Sequence, residues 1–427
     1  MRERDGNDSS GAPHEVRVRG HRPPRRRQPP PPPAKPKVSP RKVALDVLDA
    51  TLGKKPVPAD EAMAAHPALA DLSQRDRAFA RLLVLTTLRR LAELDAAVRP
   101  FLRREPKSLV VRNILRLGAT QLLFLKTPPH AAVHETVKLA SGDLAGTAPM
   151  LNAVLRRLAG VAAQAPAGDP FRLAAPDWLL QSWIDAYGET TARAIVAVHR
   201  AEPPLDIVAK SDPERWAEEL EAERLPSGVL RRPVGGLIED LPGYAEGAWW
   251  VQDVAATLPA RLLSDVRGQR GSVRQNLART GLAAEIVVAD ARAYEPPVPF
   301  GHVLLDAPCS ATGTIRRHPD ILWTKRPDDP ARLAVLQGEL LAAAARALAP
   351  GGTLVYAVCS LQPEEGPAVV EAFLAQHTEL ALDPVRAEEL GGLPVEIDAR
   401  GCVRTLPCHL AEKGGMDGFF IARMRRG

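Results

Sequence analysis

Two cysteines fifty residues apart, Cys309 and Cys359, stand in matching sequence settings. The first follows Val303-Leu304-Leu305-Asp306-Ala307-Pro308 and leads into Ser310-Ala311-Thr312-Gly313. The second follows Thr353-Leu354-Val355-Tyr356-Ala357-Val358 and leads into Ser360-Leu361-Gln362-Pro363-Glu364-Glu365. Each is an apolar run of buried-strand length that stops at a polar, turn-forming cluster. In an open parallel α/β sheet the ligand crevice lies outside the carboxyl ends of the strands. Two thiols and the Asp306 carboxylate delivered to one rim would form a reaction centre, because a thiolate is strongly nucleophilic near neutral pH. Taken alone, either cysteine reads better as a small buried apolar residue; the pair in these frames carries the catalytic reading.

The elements that must position the pair lie in residues 246–427. Trp249-Trp250-Val251-Gln252-Asp253 leads into a helix through Ala255, Leu258 and Leu262. Glu285-Ile286-Val287-Val288-Ala289-Asp290 reads as a short buried strand ending in a carboxylate, and Phe300 to Asp306 as the next strand. An alanine-rich helix from Leu333 to Leu348 stops at Pro350-Gly351-Gly352. Asp417-Gly418-Phe419-Phe420-Ile421-Ala422 makes a final strand. Ahead of this region, residues 166–245 form a connector. It has a helix from Trp178, strands at Ile207–Ala209 and Gly236–Ile238, and a charged helix over Pro213–Arg224. Residues 39–165 are helical throughout: Val43, Val47 and Leu48, then Leu82, Leu83 and Leu88, then Ile114, Leu117 and Leu122, then Leu151, Val154, Leu155 and Leu158 recur at helical spacing. Residues 1–38 are a basic, proline-rich arm, with Arg25-Arg26-Arg27 before a run of prolines, a composition that cannot pack a core.

At 427 residues with 45% apolar content the chain is long enough for two or three domains. No uncharged apolar stretch is long enough to cross a bilayer, and the N-terminus has no secretory h-region. Four cysteines without a C-x-x-C pair argue against a zinc site or a disulfide scaffold, so a cytoplasmic protein with reduced thiols is expected. The net charge of +5 is unevenly placed: residues 1–42 carry 12 Lys/Arg and 4 Asp/Glu, leaving the rest slightly acidic. The arm reads either as a polyanion-tracking segment that adds salt-dependent RNA affinity or as a solubilising extension. His130 and His134, at i and i+4, lack a third ligand and read as packing or capping residues, so no metal is expected.

Asp-Ala-Pro-Cys-Ser-x-x-Gly with Tyr-x-x-Cys-Ser-Leu-x-Pro-Glu-Glu and a terminal Asp-Gly-Phe-Phe resembles the RNA cytosine-C5 methyltransferases. Ser73–Phe79, Arg116–Leu122, His130–Val137 and Leu151–Arg156 resemble the NusB-type RNA-binding domain. Together they point to the RsmB (Sun/Fmu) branch, which methylates small-subunit ribosomal RNA. The resemblance implies an all-α NusB-like bundle followed by a Rossmann-like α/β methyltransferase domain, working on ribosomal RNA with S-adenosylmethionine; a monomer is expected, though nothing in the sequence reads out oligomeric state. It implies that Cys359 attacks C6 of the cytosine, that Cys309 helps remove the C5 proton or expel the enzyme thiolate, and that Asp306 holds the N3/N4 edge and borders the cofactor. Asp290 sits where the family holds the adenine end. Lys325 and Arg316-Arg317-His318 follow the first cysteine and are expected to hold the flanking RNA backbone, with Arg103, Arg104, Arg156 and Arg157 as further phosphate contacts.

Two departures from that pattern matter. Val358 stands where the family usually has Thr. More seriously, Val266-Arg267-Gly268-Gln269-Arg270-Gly271-Ser272-Val273 runs almost directly into Asn276-Leu277-Ala278-Arg279-Thr280-Gly281-Leu282. The family places there a strand, a glycine-rich turn, a helix and a second strand ending in an acid for the ribose, a unit of about 30 residues or more. The missing first strand is normally central, so its neighbours are expected to present open edges and the cofactor to lose its cradle. The chain therefore reads either as an RNA cytosine-C5 methyltransferase or as a catalytically impaired RNA-binding protein derived from one. A free-standing NusB-type antitermination factor would lack residues 243–427.

Overall fold

The computed structural model describes residues 38–161, 169–263 and 273–427. The basic arm, the proline-containing boundary near residue 165 and the Gly268/Gly271 turn lie outside them.

Seven helices build the first core: α1 Pro40–Thr51, α2 Ala59–Ala64, α3 Gln74–Arg89, α4 Leu91–Val98, α5 Leu109–Leu123, α6 Pro129–Val137 and α7 Ala148–Val161. Ser39, Ser73 and Ser108 cap α1, α3 and α5 by accepting from the backbone N–H three residues on, which satisfies amides the helix cannot. The apolar stripes face inward, with Val43, Leu48, Leu83, Leu88, Ile114, Leu117, Leu151 and Leu155 all buried. Leu82 departs from its expected place and is exposed.

Helix α8, Asp177–His199, bends at Gly188 (φ 80°) and leads to a small sheet of order β2-β3-β1-β4. Its strands are β1 Leu205–Ala209, β2 Glu223–Arg224, β3 Leu230–Arg232 and β4 Trp249–Val251, with α9, Pro213–Glu219, packed on it. The charged helix ends five residues earlier than expected, and no strand forms at 236–238. Gly235 and Gly236 take φ of 146° and 77° there, values that break an extended run. His199, at the end of α8, is 4% exposed and meets Trp183 edge-on at 5.4 Å. Burial, then the charges of Arg316 and Arg89, lower its pKa to about 3. The unfolded chain takes up this proton near pH 6.5 and the folded chain near 3, so stability is lost as pH falls through that window, by up to ~1.4 kcal/mol per pH unit. His199→Phe is expected to remove roughly 2 kcal/mol of that loss between pH 7 and 5, measured by urea unfolding at the two pH values.

After α10 Leu258–Arg261 and α11 Val273–Thr280 comes the second, larger sheet. It comprises β5 Phe300–Asp306, β6 Leu348–Val358, β7 Leu380–Leu382, β8 Glu396–Ile397, β9 Val403–Thr405 and β10 Phe419–Arg426, with α12 Ile321–Thr324, α13 Asp329–Arg346 and α14 Pro367–Leu374. The strand order is β5-β6-β10-β9-β8, with β7 also on β10. β5 and β6 run parallel, with Leu304 opposite Val355 and Asp306 opposite Ala357. β6 and β10 run antiparallel, with Phe420 opposite Val358. Pro350-Gly351-Gly352 lies inside β6, where the register with β5 slips and Gly351 takes φ 73°.

One expectation fails here. Residues 285–290 form no strand, and Val287 and Val288 are 53% and 86% exposed. The physical reason is a missing neighbour. A strand needs a ladder partner for its N–H and C=O groups, and β5 pairs with β6 alone among the described strands. β5 is thus an open edge, with Phe300 and Leu304 exposed.

Candidate active site

The parallel register that sets Asp306 beside Ala357 also brings the two cysteine turns to one level of the sheet. The sulfurs of Cys309 and Cys359 lie 3.5 Å apart. Beyond the strand ends the turns are tied by backbone: the Gly313 N–H donates to the Cys359 carbonyl at 3.0 Å, and the Gly418 N–H donates to the Gly313 carbonyl at 2.8 Å. Three distant stretches of sequence therefore meet at Gly313. A Cβ there would sit 2.0 Å from the Gly418 carbonyl oxygen, inside any permitted contact, and that oxygen belongs to backbone that cannot swing away. Gly313→Ala is expected to cost about 2–4 kcal/mol and to separate the sulfurs, read by thermal melting and by loss of any Cys309–Cys359 crosslink with a short bis-thiol reagent.

The second turn is held from its other side. Arg404 donates to the Ser360 carbonyl at 2.7 Å while its guanidinium lies over Phe420, and the Tyr187 hydroxyl donates to the Leu361 carbonyl at 2.5 Å. Val358 is wholly buried among Tyr356, Phe420 and Ala307, an apolar setting that asks for no hydroxyl.

Cys359 faces a groove of about 840 Å³ lined also by Thr314, Arg317, Thr324, Lys325, Arg326 and Arg332, with Pro56 and Pro58 of the helical domain as its far wall. Cys309, half-buried like Cys359, does not line this groove. Hydrogen bonding with Cys359, then burial, hold its thiol well above the ordinary cysteine range, so Cys309 keeps its proton near neutral pH. The arrangement supplies one sulfur open to a ligand and a second, protonated, within reach of it.

The helical domain is locked to this wall. Arg89 donates to the Arg316 carbonyl at 2.9 Å, Trp323 donates to the Leu88 carbonyl at 2.7 Å, and His318 lies 3.2 Å from Asp60. The neighbouring cations divide. Lys325 and Arg317 reach the groove, Arg317 steadied by Asp417. Arg316, expected to hold RNA, instead turns inward: it is 1% exposed and paired with the buried Asp253. Its neighbourhood with Asp253 and Asp417 makes it a core cation, and the Arg-Arg-His spacing gave no sign of which arginine would be buried. Arg103, Arg104 and Arg157 line a separate cleft of about 860 Å³ on the helical domain, and Arg156 is exposed beside another.

Asp306 ends β5 at the rim, with Oδ1 buried. Asp290 does not join it. Hydrogen bonds from Arg292 lower its pKa to about 2, and Arg292 also bridges to Glu339 on α13. With residues 285–290 outside the sheet and the β5 edge uncovered, the described residues do not fit S-adenosylmethionine: there is no strand–turn–helix cradle, and the carboxylate expected at the adenine end lies on the surface, engaged by Arg292.

Comparison with known proteins agrees with this assembly. The profile described as "16S rRNA methyltransferase RsmB/F" matches residues 253–425, and the NusB family profile matches residues 38–160. The solved structure described as "Crystal Structure of PH0851" superposes with a TM-score of 0.68, covering 92% of this chain and all of that one at 21% identity. Fold and profiles together define an α/β methyltransferase carrying a NusB-type helical domain.

The ribosomal RNA small subunit methyltransferase B of Thermus thermophilus is 36% identical, covering 83% of this chain and 89% of that protein; that of Pseudomonas syringae is 36% identical, covering 82% and 89%. This chain belongs to the ribosomal RNA small subunit methyltransferase B family. The Thermus match runs over 381 positions, whereas 83% of 427 residues is about 354, so that relative has residues at positions where this chain has none.

Proposed function

We propose that this chain carries the pyrimidine-handling half of an RNA cytosine-C5 methyltransferase, acting on small-subunit ribosomal RNA in the cytoplasm. The observation that carries the reading is the sulfur pair, 3.5 Å apart at adjacent strand ends, with one sulfur at a groove lined by Arg317, Lys325, Arg326 and Arg332 together with Asp320, Asp328 and Asp329. Cytosine C5 is a poor nucleophile until a group adds at C6. Cys359 adds there as thiolate, and electron density moves onto C5 and the N3/N4 edge. Asp306 hydrogen-bonds that edge and stabilises the charge that develops. In the return step the C5 proton leaves to solvent as the C6–S bond breaks, and Cys309, holding its proton, gives it to the departing Cys359 sulfur. Lys325 and Arg317 hold the phosphates that flank a base turned out of its stack.

S-adenosylmethionine supplies the methyl group in this family's reaction as the resemblance has it, and the misfit of residues 285–290 and of the β5 edge favours the second reading, an RNA-binding protein with impaired methyl transfer. RNA tritiated at cytosine C5 separates the two. Addition at C6 followed by protonation of C5 from solvent and elimination releases tritium with no methyl donor present. Release shows that the thiol pair works; salt-sensitive RNA binding without release, with or without S-adenosylmethionine, leaves only the binding role.

A further inference from the structure

Behind the sulfurs lies a buried polar cluster with no part in the chemistry above. Each cysteine is followed by a serine, Ser310 and Ser360, both 0% exposed, with hydroxyls 3.0 Å apart. Both serines point at one carboxylate, Glu365, itself fully buried. Its oxygens accept from the Ser310 N–H at 2.7 Å, the Ser310 hydroxyl, the Ser360 hydroxyl at 2.5 Å and Gln337 Nε2 at 3.1 Å. Gln337 also donates to the Pro308 carbonyl at 2.9 Å, and the Tyr356 hydroxyl lies 2.6 Å from the Glu365 carbonyl oxygen and 3.1 Å from Gln337 Oε1.

The strand ladder between β5 and β6 ends at Asp306 and Ala357, short of both sulfurs. Past that point the turns are held farther out by the Gly313 N–H on the Cys359 carbonyl and by the Leu361 N–H on Thr312 Oγ1. Beside the sulfurs themselves, Glu365 binds the residue next to each cysteine. A carboxylate suits the place, since it accepts about four hydrogen bonds and donates none. An amide would set an N–H against the Ser310 N–H or the Gln337 amide and leave a buried donor unmet.

We propose that Glu365 is a positioning residue that clamps the two cysteine turns together and so sets the sulfur-to-sulfur spacing on which the division of labour between the thiols depends. The inference rests on the proposed reading of Cys309 and Cys359 as a working pair. The clamp has an electrostatic side as well. After the Cys359 hydrogen bond, burial and the Cys359 charge, the Glu365 charge is a further influence disfavouring a Cys309 thiolate.

The test needs neither RNA nor cofactor. Iodoacetamide alkylation of each cysteine, resolved by peptide mass, is followed from pH 6 to 10 in the full chain and in Glu365→Gln. The unaltered chain is expected to alkylate at Cys359 first and at Cys309 only at high pH. In Glu365→Gln the Cys309 midpoint is expected to fall by about one pH unit or more, and the Cys359 preference by about tenfold. A variant that melts earlier while both pH profiles stay put would overturn the proposal. Should Glu365→Gln fail to fold, the double variant Ser310→Ala/Ser360→Ala cuts both ties and is expected to lose the same preference; unchanged preference overturns the proposal equally. Shifted profiles in a protein that releases no tritium sustain the clamp and sink the cytosine reading, while normal release with unshifted profiles does the reverse.

Discussion

Cys359→Ser is expected to lower tritium release from RNA labelled at cytosine C5 by at least about 10³-fold, with RNA affinity unchanged within about twofold. A serine hydroxyl fits the space of the thiol but is a far weaker acid, so no anion is available to add at C6. Binding relies on other groups, Lys325 and Arg317 in the groove, and those are untouched. Cys309→Ser should behave differently, because Cys309 does not line the groove and holds its proton. Addition at C6 proceeds and the return slows, so a protein–RNA species stable in denaturing gels should accumulate in Cys309→Ser and not in Cys359→Ser. The opposite pattern would exchange the two roles.

Titration of S-adenosylmethionine into the unaltered chain is expected to give a dissociation constant above about 1 mM, some 10²-fold or more weaker than a site of ordinary micromolar strength. Residues 285–290 are detached from the sheet, Asp290 is occupied by Arg292, and among the described residues no strand pairs with the outer side of β5. The described residues thus offer a methionine-bearing nucleoside neither a backbone cradle nor a ribose carboxylate. Inserting a strand–turn–helix–strand unit of the kind the family resemblance implies between residues 263 and 273 should restore binding by about 10²-fold. Micromolar affinity measured by calorimetry on the unaltered chain would refute this account.

The helical stripes and the two cysteine frames were legible in the sequence because they rest on periodicity and on strand-then-turn patterning, which local physics enforces. Val43, Leu83, Ile114 and Leu155 are buried as their spacing required. Residues 285–290 misled for the opposite reason. Their apolar run promised a strand, but strand formation is decided by a neighbour elsewhere in the chain, and the same reading of 266–273 that predicted open edges implies the loss of this strand as well. Arg316 and Arg317 show a second limit. One is buried against Asp253 and the other half-exposed on Asp417, a division set by two acids 63 and 100 residues away. Glu364 and Glu365 divide likewise, one exposed and one buried, and adjacent identical residues give pattern reading no means to choose between them.

The place of β10 in the middle of the large sheet has a consequence for biosynthesis. Its first residue, Phe419, follows Cys359 by sixty positions, yet β6 cannot be flanked on both sides until β10 exists. At ribosomal speed that interval lasts roughly 3–12 s. Throughout it the nascent polypeptide holds two unshielded sulfhydryls on an unfinished sheet, so chaperone capture and a reducing surrounding matter most for this enzyme before its translation ends.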